Sequence, residues 1–354
     1  MNIKLIDKAE IVMTNTESHH AYFAWPTIAR LQNGNICVGA SGYRVEHICP
    51  FGKGVLAFSE DNGKTYSKPV PVFDTVLDDR DVGLCVFGES GLIATSFNNT
   101  IEFQRENMPR TEECFNYING VSSEDEARDL GVSFRISEDF GKTWSKIYKS
   151  PISSPHGPCV LNDGTVLWVG RIQGIHNHIE AHIIDTKTGE MTFRGDMGIY
   201  NYEEFRDTYF YEPHAIQLED GKLICHLRVE NKQETLFTLY QSVSYDNGVT
   251  WSKPVQILRD DSGAPGHLFM HSSGTLISTV SHRNRPYGIW AVFSEDNGET
   301  WSDESVIFEG KDTDDLGYPS TIELDDGTMI TAFYTRENDN VPAVIMQQKW
   351  MLDK

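Results

Sequence analysis

Proton-carrying and cationic side chains recur at fixed distances from a set of glycine turns. Counting back seven to ten positions from Gly34, Gly91, Gly164, Gly221, Gly274 and Gly327 reaches Ala24 with Trp25, Asp81, His156, Glu212, His267 and Tyr318. Counting forward seven to nine reaches Gly42, Asn98, Arg171, Arg228, His282 with Arg283, and Arg336, with Arg44 and Arg285 just beyond. Arginine forks match the geometry of carboxylate or phosphate. In a chain with 52 acidic and 30 basic residues, a local arginine cluster therefore implies an anionic ligand. The carboxylates, histidines and tyrosine beside it are groups able to move protons.

The elements that position these residues are repeats. An apolar run, a tight turn and a second apolar run recur six times, as in CVLNDGTVLWVG at Gly164 and TIELDDGTMITAFY at Gly327. Asn-Gly, Asp-Gly and Ser-Gly between alternating apolar residues signal hairpins, because glycine adopts positive φ cheaply. Successive turns lie 57, 73, 57, 53 and 53 residues apart, close to the period of a four-stranded propeller blade. A second repeat follows four of the hairpins: SEDNGKTY at Ser59, SEDFGKTW at Ser137, SYDNGVTW at Ser244 and SEDNGETW at Ser294. Its Asp accepts turn amides, its Gly takes the left-handed bend, and its aromatic residue packs inward.

Composition narrows the class. Hydrophobic residues make up 39% of the chain and charged residues 23%, enough apolar surface for a core. The net charge of −22 argues against nucleic-acid or anionic-membrane partners. The N-terminal MNIKLIDKAEIVMTN lacks the apolar core of a secretory signal. The expected location is cytoplasmic if Met1 is the native start, and secreted or periplasmic if the chain is trimmed. Cys37, Cys49, Cys85, Cys114, Cys159 and Cys225 include no C-x-x-C pair and read as reduced core thiols.

The four S-x-D-x-G-x-T-aromatic elements resemble the Asp-box, or BNR, repeats of the sialidase superfamily. That resemblance covers nearly all of residues 1–354 and implies an all-β fold, a single six-bladed β-propeller, with residues 1 to about 20 closing the ring. It also implies roles. GYPSTIELDDGTMITAFY is similar to the segment carrying the nucleophilic tyrosine, which gives Tyr318 that role. EPHAIQLEDGKLICHLR is similar to the segment whose Glu activates the tyrosine and whose Arg binds the sugar carboxylate, here Glu212 and Arg228. HRNRPYGIWAVFSEDNGETW resembles the stretch supplying another such arginine, matched by Arg285 first and Arg283 second. A carboxylate beside a phenol, whose ordinary pKa is about 10, takes its proton as it attacks. A neutral nucleophile also avoids repulsion by an anionic sugar.

The first two blades depart from the family pattern. Where sialidases have an F-R-I-P arginine, the chain reads Phe23-Ala24-Trp25-Pro26, leaving Arg44 or Arg171 as substitutes. The loop expected to carry the acid/base aspartate reads SGYRVEHICPFGKG, with Glu46 and His47 but no Asp. Asp81, beside Arg80 in LDDRDVGL, is the other acid candidate, and a plain ion pair with Arg80 is the competing explanation. His156, His214 and His267 are expected at the mouth, donating protons or binding hydroxyls.

The function these residues favour is exo-hydrolysis of a terminal acidic sugar, sialic acid or a related keto-acid sugar. Two alternatives stand beside it: a propeller polysaccharide lyase or uronate- or rhamnose-side glycosidase, and a non-catalytic glycan-binding propeller. Zinc binding by His176, His178 and His182 is disfavoured, and no nucleotide-binding glycine loop implies an organic cofactor. Residues 100–130 form the longest insertion, expected to be a lid or a contact in a homo-oligomer.

Overall fold

A computed structural model describes residues 2–260, 263 and 265–353. Among these, the strands form six antiparallel sheets that follow one another along the chain as propeller blades. The first blade holds β2 (Tyr22–Arg30), β3 (Ile36–Arg44), β4 (Lys53–Ser59) and β5 (Val70–Phe73). The second holds β6 (Arg80–Phe87), β7 (Gly91–Phe97), β8 (Val132–Ser137) and β9 (Tyr148–Ser150). In the third, β10 (Ile152–Ser153) and β11 (Cys159–Val160) both pair with β12 (Val166–Ile172), followed by β13 (Ile179–Ile184) and β14 (Met191–Asp196). The inner strand is split there because Pro155 and Pro158 lack the donor a ladder needs.

The fourth blade holds β15 (Thr208–Gln217), β16 (Leu223–Asn231), β17 (Phe237–Ser244) and β18 (Val255–Gln256). The fifth holds β19 (His267–Met270), β20 (Leu276–His282), β21 (Gly288–Ser294) and β22 (Ser305–Glu309). The sixth holds β23 (Gly317–Glu323), β24 (Met329–Thr335) and β25 (Val344–Asp353), and its outer strand is the N-terminal β1 (Asn2–Met13). Asn2 lies opposite Asp353, so the two ends of the chain lock one blade and remove an edge of β25.

Five of the six glycine signals fall at the turn between a blade's first two strands. Gly34, Gly164, Gly221, Gly274 and Gly327 take φ of 80–90°. In the second blade Gly88, at φ 54°, makes the bend and Gly91 opens β7. The Asp-box turns join third to fourth strands. In the first, Asp61 Oδ1 accepts the amides of Lys64 and Thr65 at 3.0 and 2.9 Å, and its Oδ2 accepts Thr65 Oγ1 at 2.6 Å. These donors favour the charged carboxylate and push its pKa down. The same Thr-to-Asp pair recurs at Asp139, Asp246 and Asp296.

The core sits between blades and is dominated by inward-facing strand residues such as Val38, Ala57, Ile330 and Ile345. All six cysteines are unpaired, and all but Cys159 are buried. The insertion in the second blade forms α1 (Ile101–Asn107), α2 (Glu112–Gly120) and α3 (Ser123–Asp129). Buried Met108, Cys114 and Ile118 pack against Val45, Ile48 and Phe51. The insertion thus buttresses the first-blade loop that carries Glu46 and His47.

Candidate active site

Four residues share one unusual backbone setting. Trp25, Asp81, Glu212 and Tyr318 have φ of 55, 48, 48 and 52°, a left-handed conformation uncommon for side chains this large. Each falls where the register between a blade's first two strands slips: Ala24/Thr27, Arg80/Gly83, Tyr211/His214 and Gly317/Ser320. These are bulges, which bend a strand and re-aim a side chain. At about 1–2 kcal/mol of local strain each, the rest of the blade holds them in place.

On the side formed by the fourth to sixth blades, the Tyr318 hydroxyl donates a short hydrogen bond to Glu212 Oε1. Arg228 Nη1 donates to Glu212 Oε2 at 2.9 Å and to Tyr318 Oη at 3.4 Å. Glu230, two residues along the same face of β16, accepts Arg228 Nε at 2.8 Å. The Arg283 guanidinium lies 5.5 Å from the Tyr318 ring centre. It is fixed by Leu316 O at 3.0 Å and Tyr334 Oη at 2.9 Å, neither of them a carboxylate. Burial, then the charge of Glu212, pushes the Tyr318 pKa well up, with Arg228 opposing. The phenol therefore stays protonated and needs a base to react.

Arg285 does not belong to this cluster. Its side chain is 71% exposed and pairs with Asp312 at 3.2 Å, while Arg283 takes the position expected of it. The first-blade side differs further. Arg44, fully buried, pairs with Asp78 at 2.5 Å and so does not replace the missing arginine at the mouth. Arg80 Nη1 lies 3.3 Å from the same Asp78, and its guanidinium sits 4.0 Å from the Trp25 ring centre. Two arginines thus share one carboxylate behind the indole.

The three aspartates of LDDRD have separate fates: Asp78 binds the arginines, Asp79 accepts the Thr75 amide at 2.7 Å, and Asp81 enters the site. Asp81 is buried and its Oδ1 has no hydrogen-bond partner. Among the described residues Arg80 pairs with Asp78 instead, against the simple ion-pair explanation for Asp81. Burial raises the Asp81 pKa to about 7, with Arg80 opposing and Glu212 adding. His47 packs edge-on against Trp25 at 4.9 Å and lies 3.7 Å from Asp315. Its pKa is pushed down, mainly by desolvation and against the hydrogen bond to Asp315.

His156, His214 and His267 do not stand free at the mouth. They are buried against one another, with ring centres 4.4–5.5 Å apart, and His156 lies 6.4 Å from the Tyr318 ring. Burial lowers the pKa of all three. Leu268 N–H donates to His214 Nδ1 at 2.9 Å and Thr321 N–H to His267 Nδ1 at 3.3 Å, which places the proton of each ring on Nε2. They form a neutral floor.

Of the three histidines for which zinc was disfavoured, His176 packs on Tyr209 and His182 bonds Glu180 at 2.7 Å. Only His178 joins a group of converging ligand atoms, with Glu180 and Asp196. Glu230, Tyr334 and Asp78 were missed in the sequence. Of these, Glu230 carries a readable signal, its two-residue spacing from Arg228.

Residues 74–331 match the family described as the BNR repeat-like domain, and the chain belongs to it. Its six-bladed propeller fold is the one found in sialidases of known structure. A protein of unknown function from Dyadobacter fermentans superposes with a TM-score of 0.78 at 17% identity, over 99% of this chain and 100% of that one. The NanB sialidase of Streptococcus pneumoniae gives 0.69 at 14% identity, over 98% and 71%. The intramolecular trans-sialidase of Ruminococcus gnavus gives 0.66 at 14%, over 98% and 97%. No curated protein matches the sequence significantly.

Proposed function

We propose that this propeller is an exo-acting, retaining glycoside hydrolase that removes a terminal carboxylated sugar, sialic acid or a related keto-acid sugar. The observation that carries the reading is the Tyr318–Glu212 hydrogen bond flanked by Arg228 and Arg283. Sialidases among the structural neighbours support the same class.

Arg283, which has no carboxylate partner among the described residues, and Arg228 hold the substrate carboxylate. Tyr318 Oη attacks the anomeric carbon as its proton passes to Glu212, and the bond to the leaving oxygen breaks. Asp81 gives its proton to that oxygen. Water then attacks the same carbon, the Asp81 carboxylate takes the water's proton, and Glu212 returns a proton to Tyr318 as the aryl–sugar bond breaks.

The test is release of 4-methylumbelliferone from its α-sialoside and from a panel of uronides and neutral glycosides. Release from an acidic glycoside by wild type, abolished in Tyr318→Phe, is the expected outcome. Release from neutral glycosides alone, or equal release by the variant, would overturn the proposal.

A further inference from the structure

The catalytic cleft continues past Asp81 and Glu212 into a groove built around Arg171. A small cavity of 80 Å³ is lined by Asp81, Glu212, Ser154, Arg171 and Tyr211. Arg171 and Tyr211 also line an adjoining cavity of 250 Å³, together with His176 and Tyr209. The two share a wall and lead outward from the reacting groups.

Two properties of this groove point to its occupant. Tyr209 and Tyr211, two apart on one face of β15, lie nearly parallel at 15° with ring centres 6.0 Å apart, both half-buried. With His176 packed on Tyr209 and Arg171 on Tyr211, the pair forms a wall that fixes the guanidinium over the groove. The Arg171 guanidinium lies 4.8 Å from the Tyr211 ring centre and forms no ion pair among the described residues. Stacking holds the fork in place while leaving its edge donors free. Most arginines near the site are neutralised by carboxylates, as Arg44, Arg80 and Arg228 are. In a chain of net charge −22, an unpaired guanidinium beside the catalytic carboxylates is a built anion site.

We infer that Arg171 binds a second anionic group, a sulfate or carboxylate, on the sugar next to the one cleaved, so that the preferred substrate carries two negative charges. This rests on the glycosidase reading above. Asp81 faces the leaving oxygen in that reading, so the cavity it shares with Arg171 lies on the leaving-group side.

The experiment compares two oligosaccharides that differ only in a sulfate on the residue next to the acidic terminus. Wild type is expected to prefer the sulfated one by roughly tenfold in kcat/KM. In Arg171→Gln that ratio falls to about one, and in Arg171→Lys it lies between. Equal kcat/KM for the two in wild type, or an unchanged ratio in Arg171→Gln, would overturn the inference. If wild type cleaves neither, the glycosidase reading fails, and calorimetric titration of the same pair still decides the subsite. Tighter binding of the sulfated one, lost in Arg171→Gln, supports it, and equal or absent binding overturns it.

Discussion

The two halves of the mouth use the same backbone device for opposite ends. In the fourth and sixth blades, the bulged residues Glu212 and Tyr318 meet each other, and Arg283 beside them has no carboxylate partner among the described residues. In the first blade the equivalent bulge carries Trp25, and the cations behind it are tied to Asp78. The fold supplies left-handed positions that aim side chains at one mouth, and the residue occupying each decides whether that position binds, reacts or packs. Asp81 stands between the halves: its bulge belongs to the second blade, yet the charge of Glu212 reaches it.

Substitutions can break this contrast in graded ways. The largest effect is expected for Tyr318→Phe, with loss of turnover by at least about a thousandfold and an unchanged melting temperature, since one oxygen is removed from a nucleophile. Next, Asp78→Asn leaves two buried guanidinium groups without their carboxylate. Breaking such a pair costs about 3–5 kcal/mol, to be read from denaturant unfolding. Arg283→Gln removes charged hydrogen bonds of about 1.5–3 kcal/mol, predicting a roughly 10- to 100-fold loss in kcat/KM, mostly through KM. Arg285→Gln, on the exposed turn, is expected to change kcat/KM by less than about twofold, because its partner Asp312 is also exposed.

The pH dependence sharpens the role of Asp81. With its pKa raised to about 7, its proton is present below that pH, so the glycosidic step slows as pH rises through 7. Asp81→Asn should lose this alkaline limb and show a larger rate loss with poor leaving groups than with methylumbelliferone. The contribution of Asp81 to stability moves in the same direction. A carboxyl whose pKa is raised by folding favours the protonated protein, so stability falls between the ordinary carboxylate range near 4 and pH 7. His156, His214 and His267, whose pKa values burial lowers, act in the opposite sense below about pH 6.5, so the Asp81 part is read as a difference: the melting temperature of wild type minus that of Asp81→Asn should fall as pH rises from 4 to 7. Asp79, also raised to about 7 by burial, contributes in the same sense as Asp81 and is unchanged in that difference.

Much of this architecture was legible because its signals are local. Gly34, Gly164, Gly221, Gly274 and Gly327 mark hairpins because the turn itself demands positive φ, and each Asp box closes hydrogen bonds within a few residues. Offsets within single hairpins put Tyr318, Glu212 and Arg228 on one ring, and the family resemblance singled them out. What failed depended on distant partners or on strand ends. Arg283 and Arg285 are two apart beyond the end of β20, where alternation no longer fixes facing, so spacing alone favours neither. The burial of Arg44 depends on Asp78, 34 positions away. The three histidines read as mouth residues because each lies near the entry to a hairpin, but their rings, from three different blades, pack against one another, which no single blade reveals.

The most direct test of the central claim is rapid-quench mass spectrometry of the protein turning over the best acidic glycoside of the fluorogenic panel. A covalent sugar on the peptide containing Tyr318, absent in Tyr318→Phe, is the predicted result. Product accumulating while that peptide stays unmodified, or a sugar attached to another residue, would contradict it.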